Sequence, residues 1–290
     1  MKRSFATLII FYWGNDMKRI CNAFCMFMFL SLLICPIFSA QADDKNFDSP
    51  SNMTFSVGTA QFTMIAVKGG PFMMGSESKG SQRDQKPVHK VTLSDFFIGE
   101  TEVTQELWTA VMGHNPSEFR GTHLPVDTVT WQESHTFIDR LNNMLHDSGQ
   151  LAEGYFFHLP TEAQWEYAAR GGDKSQGYIY AGSNDIEAVA WTKGNAGNRT
   201  HPVAGKMPNE LGLYDMSGNV WEWVEDFYAP YGAEEQINPI QTDKSSNRVI
   251  KRGGSWYYPQ DYRFRSTYRY AYYTAVSDSS IGMRLCLSAR

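Results

Sequence analysis

Aromatic and arginine side chains alternate in the segment from residue 257 to residue 270. Its three runs are Tyr257-Tyr258-Pro259, Tyr262-Arg263-Phe264-Arg265 and Tyr268-Arg269-Tyr270. Guanidinium groups stack on aromatic faces through cation–π attraction, and a surface built this way suits peptide backbones, carboxylates or sugars. The same stacks also fill cores in which regular elements are scarce. The segment therefore predicts either a binding groove or aromatic core packing, and the sequence favours neither.

The cysteine count and the net charge argue against disulfides, thiolate metal sites and nucleic-acid binding. Three of the four cysteines, Cys21, Cys25 and Cys35, lie near the N-terminus, and only Cys286 lies elsewhere. A chain that loses its N-terminal segment has no intramolecular disulfide and no thiolate pair for a soft metal ion. The net charge of −5 lacks the Lys/Arg surplus that phosphate binding requires, so no nucleic-acid partner is expected.

The N-terminal segment has the features of a secretory signal peptide. Lys18 and Arg19 precede an apolar run from Ala23 to Phe38, and Ala40-Gln41-Ala42 resembles a signal-peptidase site. The run is shorter than the roughly 20 apolar residues that cross a bilayer. We therefore expect a signal peptide over residues 17–42 that is cleaved after its last residue. An uncleaved anchor is the alternative.

The start of the chain and its destination follow from this interpretation. Residues 1–16 precede Met17, which we expect to be the true start behind an over-called extension. The segment 32–35 resembles a lipidation box, but Ile34 is too large for its position and Pro36 follows the cysteine, which argues against a lipoprotein. The mature protein is expected to be exported, to the periplasm, the outer surface or the medium, with no membrane span.

Three helices are predicted from caps and periodicity. Capping boxes at residues 130–133 and 161–164 each place Thr three residues before Glu or Gln, and Gly171-Gly172 ends the later helix. Another helix is predicted over Gln105–Met112, after the N-cap Thr104. The middle helix has an apolar stripe of Phe137, Ile138, Leu141, Met144 and Leu145.

Strands are predicted to be short and separated by long loops. The predicted segments are Phe62–Val67, Lys90–Phe97, Arg248–Lys251 and Met283–Leu287. Without βαβ alternation, the fold class is α+β, in a single compact domain over residues 55–290 behind a linker over residues 43–54. In the last strand Cys286 alternates with the apolar residues, which predicts a half-buried structural thiol rather than a reactive one.

Several motifs together resemble the formylglycine-generating enzyme (sulfatase-modifying factor) family. They are GGPFMMGS at residues 69–76, EVT at 102–104, LPTEAQWEYAARGG at 159–172, NELGLYDMSGNVWEW at 209–223, RGGSW at 252–256 and GMR at 282–284. The resemblance extends from about Phe62 to Leu287. It implies a fold related to C-type lectins that is rich in irregular structure.

The resemblance also implies a calcium cofactor. Its ligands here would be the side chains of Asp215 and Glu222 and the backbone carbonyls of Gly218 and Val220. Calcium takes 6–8 oxygen ligands, which two carboxylates, two carbonyls and water molecules can supply. The alternative is that the two carboxylates only cap the loop and accept its hydrogen bonds.

The family's copper chemistry is not expected in this chain. The copper-binding cysteines of the enzymes correspond to Tyr258 and Arg263, and neither a phenol nor a guanidinium replaces a soft thiolate. No catalytic residue is therefore assigned, and formylglycine generation on sulfatases is not expected. By resemblance, the enzymes' substrate pocket implies a candidate groove for a substrate or partner. It comprises Trp221, Ser255, Trp256, Tyr258 and Arg263.

These observations lead to two functional hypotheses. The first is a calcium-stabilised binding or accessory module of the cell envelope, which uses the aromatic and arginine groove for a protein, peptide or glycan partner. The second is an oxidoreductase of the same family that acts on a peptide or small metabolite without the cysteine pair.

Overall fold

The computed structural model describes residues 51–260 and 262–289 of the chain. The expected signal peptide at 17–42 and the extension before it lie outside the described residues, as does most of the linker expected at 43–54. In the described part, no helix is long and apolar enough to cross a membrane. The first strand begins at Met53, ahead of the expected domain boundary.

The structure confirms the three predicted helices, and a threonine caps the N-terminus of each. The helices of the described residues are α1 Gln105–Met112, α2 Trp131–Asp147, α3 Glu162–Ala169 and α4 Ile186–Val189. The hydroxyls of Thr104, Thr130 and Thr161 accept hydrogen bonds from backbone N–H groups in the first turns, which satisfies donors that a helix start leaves unpaired. The sequence does not predict α4, a single turn capped by Asp185.

Helix α2 buries its predicted apolar stripe except on one flank. Phe137, Ile138, Leu141 and Leu145 are buried, whereas Met144 is 39% exposed. At 100° per residue, Met144 lies at the edge of the stripe, where the helix surface turns toward solvent.

The strands are more numerous than the sequence predicts. In the described residues they are β1 Met53–Val57, β2 Ala60–Val67, β3 Pro71–Met74, β4 His89–Thr92, β5 Phe96–Gly99, β6 Tyr155–His158, β7 Trp221–Phe227, β8 Gln236–Ile237, β9 Arg248–Arg252, β10 Tyr270–Tyr273, β11 Ile281–Met283 and β12 Cys286–Ala289.

The strands of the described residues form three sheets with different strand orders. The orders are β1-β2-β5-β12-β6, β10-β9-β7-β11 and β3-β4-β8. Most pairs are antiparallel, but β11 runs parallel to β7 and β8 runs parallel to β4. Helices and antiparallel-rich sheets without βαβ units confirm the predicted α+β class.

Two apolar cores lie on opposite faces of the central strands. In β9, Val249 belongs to one core and Ile250 to the other. In β7, Trp223 and Val224 divide in the same way. β9 coincides with the predicted strand Arg248–Lys251, which is confirmed. β7 is not predicted, because a strand that is buried on both faces lacks the alternation of apolar and polar residues that indicates a half-exposed strand.

Two of the predicted strands are each divided between different sheets. The segment Lys90–Phe97 forms β4 and β5, because Ser94 and Asp95 leave the ladder to form loop hydrogen bonds. The segment Met283–Leu287 is divided between β11 and β12 at Arg284, whose guanidinium is fully buried. The prediction of one continuous strand is therefore wrong for both segments.

Cys286 is fully buried rather than half-buried. It lies on β12 in the second core, and its thiol donates a hydrogen bond to the carbonyl oxygen of Phe97 at 3.0 Å. Burial raises the pKa of the thiol well above its ordinary value. The expectation of an unreactive structural thiol agrees with this position, but the predicted exposure is wrong, since the strand has a core on each face.

A buried ionic network connects α3 to β9 and to the segment before β10. The Glu162 carboxylate accepts hydrogen bonds from Arg252 Nε at 3.0 Å and from Arg269 Nε at 2.8 Å. Arg252 also donates to Glu166 at 2.8 Å. All four side chains are buried, so each charge depends on its partner rather than on water.

Replacing Glu162 by Gln should destabilise the protein by about 3–5 kcal/mol, because two buried guanidinium groups would lose a counter-charge. The free energy of unfolding in urea measures this. The matched control is Glu235→Gln, which removes an exposed pair with Lys90 at 2.9 Å and should change stability by less than about 1 kcal/mol. Equal effects of the two substitutions would contradict the structural role of the network.

Candidate functional site

The predicted calcium ligands lie on a tightly curled loop that leads into β7. Asp215 and Gly218 adopt left-handed backbone conformations, with φ of 58° and 98°. A Cβ atom at Gly218 would lie 2.7 Å from backbone atoms of Trp191, so only glycine fits at this position. Val220 ends the loop and Glu222 is the second residue of β7.

One carboxylate oxygen of Asp215 has no partner among the residues that the structure describes. The side chain is buried, and Oδ2 accepts a hydrogen bond from the backbone N–H of Ala204 at 2.8 Å. Oδ1 is buried without a hydrogen-bond partner among the described residues. Burial raises the pKa of Asp215 to about 6. A bound cation or a proton would compensate this oxygen.

Glu222 is fully engaged by protein groups. Its carboxylate accepts hydrogen bonds from Arg284 Nη2 at 2.7 Å and from Arg284 Nε at 3.0 Å. The indole N–H of Trp165 donates to the other oxygen at 2.6 Å. A cation at this position would have to share the carboxylate with Arg284.

Glu102 is a member of the site that the sequence analysis did not assign. It is buried, and its carboxylate accepts hydrogen bonds from the backbone N–H of Val220 at 3.0 Å and the side-chain amide of Asn219 at 2.8 Å. Burial and the charges of Asp215 and Glu222 raise its pKa well above the usual range. The residue lies in a matching motif, but its neighbours carry no signal that it is buried.

Three buried carboxylates therefore share one guanidinium, that of Arg284. The carboxylates are those of Glu102, Asp215 and Glu222, and a cavity of about 240 Å³ reaches the first of them. Among the described residues, no group of three or more His, Cys, Asp or Glu side chains has metal-binding geometry. A cation here would accordingly rely on backbone carbonyls and water, as the predicted ligand set does.

The candidate groove residues form two overlapping sets. Trp221, Tyr258 and Arg263 contact one another in a column, which we call the stacked column, and Trp221, Ser255 and Trp256 form a buried floor. Tyr258 packs edge-on against Trp221, with ring centroids 5.8 Å apart, and the Arg263 guanidinium lies 4.7 Å above the Tyr258 ring. Tyr258 and Arg263 are partly exposed, whereas Trp221, Ser255 and Trp256 are buried. Of the five candidate residues, only Tyr258 and Arg263 therefore reach solvent.

The buried floor of the groove contains two unsatisfied polar atoms. The Ser255 hydroxyl and the Trp221 indole N–H have no hydrogen-bond partner within the described ranges. Trp256 is satisfied, because its indole N–H donates to the carbonyl of Ser279 at 2.9 Å.

Lys251 is a second residue of this site that the sequence does not indicate. On β9 it is paired with Trp223 of β7 and Tyr270 of β10, and it is only 2% exposed. Its Nζ lies 3.9 Å from the ring centroid of Tyr272 and 5.3 Å from those of Trp221 and Tyr270. Burial lowers the pKa of Lys251 to about 7. A lysine in a short strand ordinarily indicates exposure, which is why the pattern does not reveal it.

Known proteins resemble this chain over nearly all of its described length. The family described as the sulfatase-modifying factor enzyme 1-like domain matches residues 52–289. Chaperone protein LppX of Paenibacillus barcinonensis is 37% identical over 242 residues, which cover 68% of this chain and 80% of that protein. Formylglycine-generating enzyme of Mus musculus is 28% identical over 302 residues, covering 85% and 80% of the two chains.

A solved structure matches in fold as well. Treponema denticola variable protein 1 has a TM-score of 0.72 and 32% identity, with 82% of this chain and 99% of that chain covered. The two proteins thus share the same overall fold.

Replacing Lys251 by Met should stabilise the protein, by on the order of 2–4 kcal/mol at pH 6. The pKa of about 7 in the folded state lies below the ordinary lysine value of 10.5, so at low pH the charged amine destabilises the folded state. The penalty declines as pH rises from 7 toward 10.5, so the advantage of the variant should be smaller at pH 9. Urea unfolding at both pH values measures this.

The control is Lys90→Met, which removes a half-exposed ammonium group. Its difference from the natural protein should be the same at pH 6 and pH 9. A Lys251→Met effect that is equally independent of pH would show that the amine is not desolvated in the folded state.

Proposed function

This protein belongs to the sulfatase-modifying factor enzyme 1-like domain family. We propose that it is an exported accessory module of the cell envelope. It is stabilised by calcium, and it binds a protein, peptide or glycan partner through the surface around Tyr258 and Arg263. The stacked column of Trp221, Tyr258 and Arg263 is the observation that carries this proposal.

The donor set supports a function without the family's copper chemistry. Tyr258 and Arg263 occupy the positions that correspond to the copper-binding cysteines, and they stack on one another. Cys286, the only cysteine of the described chain, is buried in the second core with a raised pKa. Copper(I) requires soft thiolate ligands, so the residues present do not fit it.

Charge balance supports calcium at the loop before β7. Asp215 and Glu222 would supply carboxylate oxygens, and Gly218 and Val220 would supply backbone carbonyls. A divalent cation there would compensate the unpaired oxygen of Asp215 and the excess of buried carboxylates over Arg284.

The resemblance to a protein named as a chaperone supports an accessory role. Arginine and tyrosine side chains at a partly exposed surface are typical of sites that bind peptides or sugars, because they combine ring faces with donors. The acidic net charge of −5 is consistent with a partner other than nucleic acid.

An oxidoreductase that works without the cysteine pair is the second candidate. It is favoured by the Ser255 hydroxyl and the Trp221 indole N–H, which are buried and unpartnered on the groove floor. A buried polar group without a partner is costly, so each one calls for an explanation such as a group that binds there. A substrate group that reached the floor would satisfy both.

Removing calcium should lower the melting temperature, because a ligand that binds only the folded state stabilises it by about 2.7 kcal/mol at a hundred times its Kd. Differential scanning calorimetry before and after chelation, with calcium restored, measures the shift. Asp215→Asn should reduce the calcium-dependent shift, whereas Asp139→Asn on the exposed face of α2 should leave it unchanged. No shift, together with no calcium by elemental analysis, would remove the site.

Replacing Tyr258 or Arg263 by Ala should weaken partner capture from envelope extracts by about 5- to 30-fold, because each loses contact area and cation–π stacking. Quantitative capture with immobilised protein measures this, and Tyr178→Ala at another exposed position is the control. If the first two variants unfold instead, these residues are core packing rather than a binding surface.

A further inference from the structure

An aromatic box surrounds the amine of Lys251 beside the candidate groove. Its walls are Trp221 from β7 and Tyr270 and Tyr272 from β10, with the centroid of Tyr272 closest to Nζ at 3.9 Å. Strand register places them together, because Tyr270 is paired directly with Lys251 and side chains two residues apart share a face. Trp221 also contacts Tyr258, so the box is continuous with the groove.

Within the described residues, the amine of Lys251 has no hydrogen-bonding or ionic partner. In the described part of the chain, no donor or acceptor lies within hydrogen-bond distance of Nζ, and no carboxylate forms an ion pair with it. Asp278 is the carboxylate whose charge acts on it, and that side chain is itself hydrogen-bonded to Ser280. Glu222 lies on the opposite face of β7, since its strand partner is Arg252.

Burial without a partner leaves the amine partly unprotonated near neutral pH. Its pKa of about 7 follows from desolvation, opposed by Asp278. Exposed lysines remain almost fully protonated there, with pKa values near 10.4. A lone pair that is free at neutral pH is what activates a lysine as a nucleophile toward carbonyl groups.

We propose that Lys251 is a nucleophilic amine that condenses reversibly with the aldehyde or ketone group of a small molecule admitted beside Tyr258, Tyr270 and Tyr272. The amine nitrogen attacks the carbonyl carbon and forms a C–N bond. The carbonyl oxygen then leaves as water with two protons, which gives an imine without any oxidant or reductant. When the imine is protonated, its positive charge lies among the ring faces, which stabilise it.

This chemistry goes beyond the proposed binding function and does not depend on the identity of any partner. The rings of Tyr258, Tyr270 and Tyr272 are partly exposed, so a small molecule would reach the amine past them. The walls of the box restrict the carbonyl compound to a small one, since Lys251 itself is 2% exposed.

Reductive labelling of the whole mature protein tests the proposal. The protein is treated with acetaldehyde and cyanoborohydride between pH 6 and pH 9, and ethylation of each lysine is quantified by peptide mass spectrometry. At pH 7 Lys251 should be labelled at least about ten-fold faster than Lys90, because far more of it is unprotonated. The ratio of the two should fall as pH rises, as exposed amines lose their protons.

Two variants complete the test. Lys251→Arg should abolish this fast labelling, and Tyr272→Ala, which opens the box to water, should bring the ratio toward that of an exposed lysine. An unlabelled Lys251, or one with the pH profile of Lys90, overturns the proposal. Either result leaves partner capture through Tyr258 and Arg263 unaffected, so failure here is distinguishable from failure of the proposed function.

Discussion

The bidentate ion pair between Arg284 and Glu222 joins the parts of the fold on which the candidate site depends. Arg284 lies between β11 and β12, which belong to different sheets, and its guanidinium also donates to the carbonyls of Gly99 and Tyr214. One buried cation thus joins the end of β5, strand β7 and the loop that carries Asp215. Since an uncompensated buried charge costs roughly 3–5 kcal/mol, neither partner can be lost without disturbing all three.

Helices and strands differ in how far the sequence predicts them. Helix starts depend on contacts within four residues, so the caps at Thr104, Thr130 and Thr161 predict α1, α2 and α3 correctly. Strands depend on which faces other elements cover, and that information is not local. Because a second core covers the other face of β7, that strand lacks the alternation of apolar and polar residues and is not predicted, whereas β9 coincides with the predicted strand Arg248–Lys251.

The candidate site is predictable where it depends on motif and unpredictable where it depends on burial. The motifs identify the loop with Asp215 and the positions of Tyr258 and Arg263. They do not reveal Glu102 or Lys251, because charged residues are ordinarily exposed and only the tertiary packing removes these two from water. Within the aromatic and arginine segment, Tyr268, Phe264 and Arg269 are core packing, whereas Tyr258 and Arg263 reach the surface.

The position of Cys286 makes it an internal reporter of global opening. Its thiol is held between β5 and β12 and bonded to a backbone carbonyl in the second core. No local fraying of a loop frees such a sulfur atom, so a thiol reagent reaches it only when the central sheet separates. The rate at which the sulfur is modified therefore measures how often the folded chain opens at its centre, a quantity that bulk melting curves average away.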